Sequence, residues 1–118
     1  MDTINLAQKF RLFSEHWSPK IIAELNDSYI KVVKVKGEFE WHKHDHEDEL
    51  FLVVKGRLTI KLRDQELHIG EGELAVIPKG VEHLPIAEDE VQIVLIEPRT
   101  TVNTGEVRDE RTVDPDWI

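Results

Sequence analysis

The chain contains no cysteine, and only one methionine and one tyrosine occur among its 118 residues. The absence of cysteine excludes disulfide bonds, thiolate zinc sites and cysteine nucleophiles. Basic residues are also few, because 15 lysines and arginines stand against 24 aspartates and glutamates, which gives a formal net charge of −9. Such a surface repels phosphate backbones and anionic lipid, so we expect neither nucleic acid nor a membrane as a partner.

Long hydrophobic runs are missing as well. No stretch approaches the about 20 apolar residues of a membrane span, and the amino terminus lacks a basic patch followed by an apolar run. We therefore expect a cytoplasmic protein. A chain of 118 residues with 40% hydrophobic content fits one domain with a single modest core.

Short apolar segments separated by glycine, proline and acidic turns fill the middle of the chain. In residues 58–62 the apolar side chains fall at every second position, which is typical of a strand with one buried face. The predicted strands are 21–25, 29–35, 39–44, 50–54, 57–62, 66–69, 74–77, 83–86 and 91–96. Many short strands at this spacing predict an all-β protein, either an antiparallel sandwich or a barrel.

The two ends of the chain differ from this pattern. Residues 1–20 have a loose helical spacing of apolar side chains, which predicts a short helix or an irregular arm. Residues 99–118 are polar but end with Trp117 and Ile118, so we expect either a disordered tail or an arm docked on this or another subunit. Residues 50–54 are apolar on both faces, so a partner subunit or the chain's own ends should cover their outer face.

Histidines and acids are concentrated between residues 42 and 49. His42 and His44 are one residue apart, and in a strand such side chains leave the same face and can reach one ion. Glu49 follows His44 by five residues, and a distant histidine, His83, lies in its own patterned segment. Imidazole suits iron, nickel, zinc and copper, and a carboxylate adds an oxygen ligand that manganese or iron also accepts. We therefore expect a transition-metal site inside a β-rich domain.

The same segment leaves alternatives open. His44 and His46 form a rival pair with the same spacing. We favour His42 and His44, because only two residues separate His46 from Glu49, and we place His46 at the rim of the site. The less favoured carboxylate ligands are Glu47 and Asp48.

The spacing of these residues resembles the two sequence motifs of the cupin superfamily. The residues that carry the resemblance are Gly37, His42, His44, Glu49 and Gly56 in the first motif, and Gly72, Pro78, Gly80 and His83 in the second. The resemblance implies a small single-domain cupin, with a conical antiparallel β-barrel or double-stranded jelly roll over residues 21–98 between an N-terminal arm, 1–20, and a C-terminal polar arm, 99–118. The metal ligands that it implies are His42, His44, Glu49 and His83.

Three neutral imidazoles and one carboxylate leave a divalent ion with a residual charge of about +1, which favours anionic oxygen ligands. The expected ion is iron, manganese, nickel, zinc or cobalt, and the expected partner is a small-molecule ligand or substrate. The resemblance is compatible with a dioxygenase and with an isomerase or lyase. The alternative is a non-catalytic cupin that binds or senses a small ligand such as a sugar.

Further residues are candidates for roles around the metal. Glu40 shares the sequence parity of His42 and His44, which makes it a candidate for catalytic proton transfer. The candidates for the lining of a substrate pocket are Phe39, Phe51 and Val53. The resemblance to paired barrels, together with the apolar run 50–54, also predicts a homodimer.

Overall fold

The computed structural model describes all 118 residues, and β-strands dominate it. Its elements are α1 (Leu6–Phe10), β1 (Lys20–Leu25), β2 (Ser28–Glu38), β3 (Glu49–Lys55), β4 (Leu58–Lys61), β5 (Glu66–Ile69), β6 (Leu74–Ile77), β7 (Leu84–Pro98) and β8 (Asp116–Trp117). Asn5 caps α1, because its side-chain oxygen accepts a hydrogen bond from the backbone N–H of Gln8. The only helix has 5 residues, and no helix is long and apolar enough to cross a membrane.

β7 is the central strand of the sheet. It pairs with β2 along most of its length, with β4 through its first half and with β3 through its second half. The hydrogen-bonded path runs β5-β4-β7-β2-β1-β8, and β6 pairs with the other edge of β3. One edge of β7 thus pairs with β4 near its start and with β3 further along. The β4–β5 part and the β3–β6 part of the sheet face each other as in a jelly roll. The predicted all-β jelly roll is therefore confirmed, although the path is open and hydrogen bonds do not close it into a barrel.

Two features of the predicted strand pattern are wrong. Residues 39–44 form no strand, and only an isolated bridge between His42 and His83 is present there. The predicted strands 83–86 and 91–96 are one strand of 15 residues, β7. The acidic residues between them are exposed and are accommodated by an irregularity in the pairing of β7 with β2, so they do not end the strand.

The interior between the two halves of the sheet holds the main core. Twelve buried apolar side chains form one cluster there, among them Val53, Ile60 and Ile93, which are at most 1% exposed. Burying one such side chain contributes about 1.5–3 kcal/mol. This packing holds the strand ends that carry the polar residues described below.

The chain's own ends cover the outer face of β3. Phe10 and Phe13 of the N-terminal segment form a second buried cluster with residues of β1, β2 and β7, and Leu52, Val54 and Ile118 pack against it. Alternation along β3 directs Phe51 and Val53 into the main core instead. A partner subunit or the chain's own ends were expected to cover residues 50–54, and in the structure the chain's own ends pack there.

The C-terminal segment is docked on the same chain. β8 pairs with β1 in parallel, and the backbone N–H of Glu106 donates to the carbonyl of Lys43. Thr101 and Thr104, which precede Glu106, are buried, and the hydroxyl of Thr104 is hydrogen-bonded to that of Thr112 at 2.7 Å. The segment therefore matches the expected docked arm, and it lies against the loop that carries His42 and His44.

Candidate metal centre

The four residues His42, His44, Glu49 and His83 meet at one end of the interior. Each is at most 5% exposed. One candidate ligand atom from each side chain lies within 4.8 Å of the others. The first two come from the loop between β2 and β3, Glu49 is the first residue of β3, and His83 immediately precedes β7.

Backbone pairing between two loops brings the histidines together. His42 and His83 exchange two backbone hydrogen bonds, of 3.1 Å and 2.9 Å, and the N–H of Gly80 donates to the carbonyl of His44 at 2.8 Å. The imidazole centroids of His42 and His83 are 4.2 Å apart as a result. The two neighbouring histidines do converge, but the pairing of two loops causes it and not the strand geometry expected from their spacing.

Hydrogen bonds to backbone carbonyls orient two of the imidazoles. Nδ1 of His42 donates to the carbonyl of Glu40, and Nδ1 of His83 donates to the carbonyl of Val81, both at 2.9 Å. With Nδ1 protonated, each neutral ring presents an unprotonated Nε2 toward the cluster. Metal-binding histidines are commonly oriented in this way.

The buried atoms at the centre of the cluster lack hydrogen-bond partners. They are Nε2 of His44, Nε2 of His83 and Oε1 of Glu49. Oε1 of Glu49 lies 3.3 Å from Nε2 of His44 and 3.4 Å from Nε2 of His83. A buried polar atom without a partner costs about 1–3 kcal/mol, and a divalent cation between these atoms would satisfy all of them. The residues present therefore fit a metal ion.

The pKa values of His42 and Glu49 also favour metal binding by this cluster. Burial, together with the neighbouring His83, lowers the pKa of His42 to about 4, so its imidazole is neutral near neutral pH. Burial acts to raise the pKa of Glu49, but the neighbouring side chains of Glu97, His44 and His83 outweigh this effect and hold that pKa well below its usual range. A neutral imidazole and an ionised carboxylate are the forms that bind divalent metals.

A cavity of about 50 Å³ adjoins the cluster beside His42 and Glu49. Phe39 and Phe51 line it, as the sequence predicts. Val53 does not line it, and its side chain is fully buried. The cavity wall is mostly apolar, and seven of its 13 residues are hydrophobic.

The competing ligand candidates lie away from the cluster. His46 is exposed, which agrees with its expected place at the rim. Glu47 accepts a hydrogen bond from the hydroxyl of Thr100, and Asp48 accepts one from the backbone N–H of Lys79. Their carboxylates thus hold neighbouring segments in place, and the rival pair of His44 with His46 is not formed in this fold.

Glu40 approaches the cluster through its backbone. Its carbonyl receives the hydrogen bond from His42, whereas its carboxyl lies near that of Asp109, and its Oε1 is buried without a hydrogen-bond partner. Burial and that neighbouring carboxyl raise the pKa of Glu40. The side chain is not among those that line the cavity. Its catalytic role stays a prediction.

Several residues at the cavity were not anticipated from the sequence, and three of them are aromatic or polar. Trp17 stacks on Phe39 with ring centroids 4.8 Å apart, Asn103 comes from the C-terminal segment, and Glu97 lies at the end of β7. Extending the alternation of Ile93 and Leu95 by one step would have placed Glu97 inside. No local signal places Trp17 or Asn103 there, because each arrives through a terminal segment.

Comparisons with known proteins agree with this arrangement. A cupin-2 domain containing protein from Shewanella frigidimarina is 55% identical and superposes with a TM-score of 0.81, over 82% of this chain and 95% of that one. Protein NMB1881 from Neisseria meningitidis is 37% identical with a TM-score of 0.76, over 82% and 99% of the two chains. The uncharacterized protein YdbB of Bacillus subtilis is 38% identical over 63 residues, which are 52% of this chain and 56% of YdbB.

The family model for the cupin domain matches residues 29–107, a range that contains all four residues of the buried cluster. The strand order, the paired loops and the histidines with their glutamate thus occur together in one matched region. The chain therefore belongs to the cupin superfamily and forms one small cupin domain.

Proposed function

We propose that the protein is a metal-dependent enzyme that acts on a small organic substrate, and that it is a dioxygenase of an enolisable or aromatic compound. The cavity beside the four-residue cluster carries this proposal, because most of its wall is apolar. A sugar would bury several hydroxyl groups that each need a hydrogen-bond partner, and this wall offers few of them. A planar, largely apolar substrate fits it better.

The protein's own side chains would bind and orient such a substrate. The stacked rings of Trp17 and Phe39 form a flat wall, and Trp17 is held there because its indole N–H donates to the carbonyl of Lys36 at 2.9 Å. Phe51 closes the cavity near the ring of His83, with centroids 6.2 Å apart. These contacts exclude water and align a substrate ring next to the cluster.

The proposed ligands of the metal are His42, His44, Glu49 and His83. A divalent iron ion held there would act as a Lewis acid toward anionic substrate oxygens and take part in reactions with O₂. Both oxygen atoms of O₂ would enter the organic substrate, which supplies the electrons, so the proposed reaction needs no separate reductant.

The test combines metal analysis with oxygen uptake. Protein purified without added metal is analysed for its ion, loaded anaerobically with iron, and given a panel of diketones and catechols in an oxygen electrode. We expect one equivalent of ion per chain and one O₂ consumed per substrate. The variants His44→Ala and His83→Ala should lose most bound ion and all uptake but keep the β-rich circular dichroism spectrum. His46→Gln, which removes an exposed imidazole from the same loop, is the matched control and should behave as wild type.

Full metal occupancy in both alanine variants would contradict the ligand assignment. If the iron-loaded protein consumes no O₂ but converts an aldose or a ketose into a product, an isomerase or lyase is favoured instead.

A non-catalytic binding module is the second candidate. The observation in its favour is that Glu40, the residue expected to transfer protons, does not line the cavity. Stoichiometric binding of a panel compound by calorimetry, with no product by mass spectrometry under any metal loading, would support this candidate.

The homodimer and the cytoplasmic location stay proposals. In support of the dimer, β6 pairs only with β3 and carries two exposed apolar side chains, Leu74 and Val76. An edge strand of this kind can pair with its symmetry mate in a second copy of the chain. A dimer mass by light scattering is expected, and a monomer at high protein concentration would remove this proposal.

A further inference from the structure

Two residues form the part of the cavity wall that meets solvent. Of the 13 residues that line the cavity beside the cluster, only Trp17 and Asn103 are not buried. Trp17 lies between α1 and β1, and Asn103 lies between β7 and β8, so neither belongs to a strand of the sheet. The terminal segments of the chain therefore form the boundary between the cavity and the surroundings of the protein.

The side chain of Asn103 is bound to its own segment. Its Nδ2 donates to the carbonyl of Arg111 at 2.7 Å, and its Oδ1 accepts from the backbone N–H of Val113 at 3.0 Å. These two hydrogen bonds engage both ends of the amide and leave it little freedom to turn toward a ligand. Trp17 is therefore the larger side chain at this boundary and the one whose ring faces a substrate.

Trp17 is held in an uncommon backbone conformation. Its φ is +60°, a region that bulky side chains seldom adopt and that persists only where the surroundings enforce it. Its backbone N–H donates to the carbonyl of Lys34 at 2.8 Å, and its indole N–H donates to the carbonyl of Lys36 at 2.9 Å. Two hydrogen bonds to β2 thus fix both the backbone and the ring.

The fixed indole is connected to the cluster through Phe39. The ring of Phe39 stacks on Trp17 with centroids 4.8 Å apart, and it meets the ring of His42 edge-on at 5.3 Å. The cavity volume of about 50 Å³ holds only a few waters, which need about 10–15 Å³ each. A ring bound at the cluster would therefore fill this space as far as Trp17.

We propose that Trp17 is a specificity-determining residue, which limits the substrate to a single ring and excludes rings with a bulky substituent on the side away from the metal. A rigid wall discriminates by size, because one methylene group more or less in a fitted pocket changes affinity about 10–200-fold. The inference rests on the proposed function and adds to it a limit on the size of the substrate.

Catechol and 4-tert-butylcatechol are the probes, because both offer two adjacent oxygens to a metal and differ only on the far side of the ring. The protein is loaded with cobalt(II) without O₂, so that no turnover occurs. Calorimetry gives the two affinities, and the visible d–d spectrum of cobalt shows whether each probe reaches the metal. Wild type should bind catechol at least about 10-fold more tightly than 4-tert-butylcatechol.

The variant Trp17→Ala should lower this affinity ratio to about 1 or below, because the tert-butyl group can occupy the space of the indole. Catechol itself should bind up to about 10-fold more weakly to this variant, since a stacking contact is lost. Trp117→Ala is the matched control and should keep the wild-type ratio, because it removes an exposed indole that does not line the cavity.

A second variant, Trp17→Gly, gives the same comparison should Trp17→Ala fail to fold, because glycine adopts φ +60° without strain. Both variants should bind one equivalent of cobalt(II), as wild type does. A wild-type ratio near 1, or an unchanged ratio in the Trp17 variants, would overturn the inference while leaving the metal site intact. If cobalt(II)-loaded wild type binds neither catechol, the proposed aromatic substrate and the inference are both wrong.

Discussion

Protonation of His42 should destabilise the metal-free protein as the pH falls. Burial, with the neighbouring His83, lowers the pKa of His42 from 6.5 to about 4 in the folded state. Between these two values the unfolded chain binds more protons at this position than the folded chain does. Stability is therefore full above the unfolded pKa and decreases as the pH falls toward the folded pKa. The whole difference corresponds to about 3 kcal/mol.

Urea denaturation of metal-free protein at several pH values measures this effect. Between about pH 7 and about pH 4.5, wild type should lose about 2 kcal/mol more unfolding free energy than His42→Gln, which has no imidazole to titrate at this position. His46→Gln is the control, because it removes an exposed imidazole from the same loop and should keep the wild-type slope. Parallel slopes for wild type and His42→Gln would refute the claim that His42 is held neutral by its surroundings.

Two further substitutions test how the ends of the chain are held. Gly105 has φ +63°, and an added Cβ would collide with the carbonyl of Lys43, so Gly105→Ala should release the C-terminal segment and speed its proteolysis. Gly72→Ala, at φ +78° in open space, should cost only about 1 kcal/mol and leave the protease pattern unchanged. Phe10→Ala should lower the unfolding free energy by about 3–5 kcal/mol in a urea titration, because this ring is 3% exposed within the second cluster. Leu12 is 64% exposed, so Leu12→Ala should change the unfolding free energy by less than about 0.5 kcal/mol in the same titration. Equal proteolysis of the two glycine variants, or equal loss of unfolding free energy in Phe10→Ala and Leu12→Ala, would contradict the packing described.

Much of the strand pattern was predictable because it depends on neighbouring residues. Alternation and turn residues located β1, β4, β5 and β6 nearly to their ends. The predictions that were wrong concern places where distant segments decide the local structure. The loop 39–44 is held by pairing with His83, and β7 continues through its acidic residues because β2 pairs on both sides of them. Neither partner can be identified from the local sequence.

The residues of the candidate site also fall into those that the sequence predicts and those that only the structure reveals. The four cluster residues were predictable, because histidines and a glutamate near motif glycines are a specific combination and the chain has only 6 histidines. Glu97 was missed because one glutamate at the end of an apolar strand resembles an exposed strand terminus until its register with Glu49 is known. Trp17 was not expected at the site, and only the structure shows that its ring forms part of the cavity wall.

The amino-acid sequence alone determined the all-β class, the turns and the identity of the side chains that meet at the cluster, since these depend on residue type and short-range spacing. Only the tertiary structure decided which strands pair, that both ends of the chain pack over β3 and which residues line the cavity beside the cluster. Those outcomes depend on contacts between residues far apart in the chain, and such contacts are selected by packing of the whole domain.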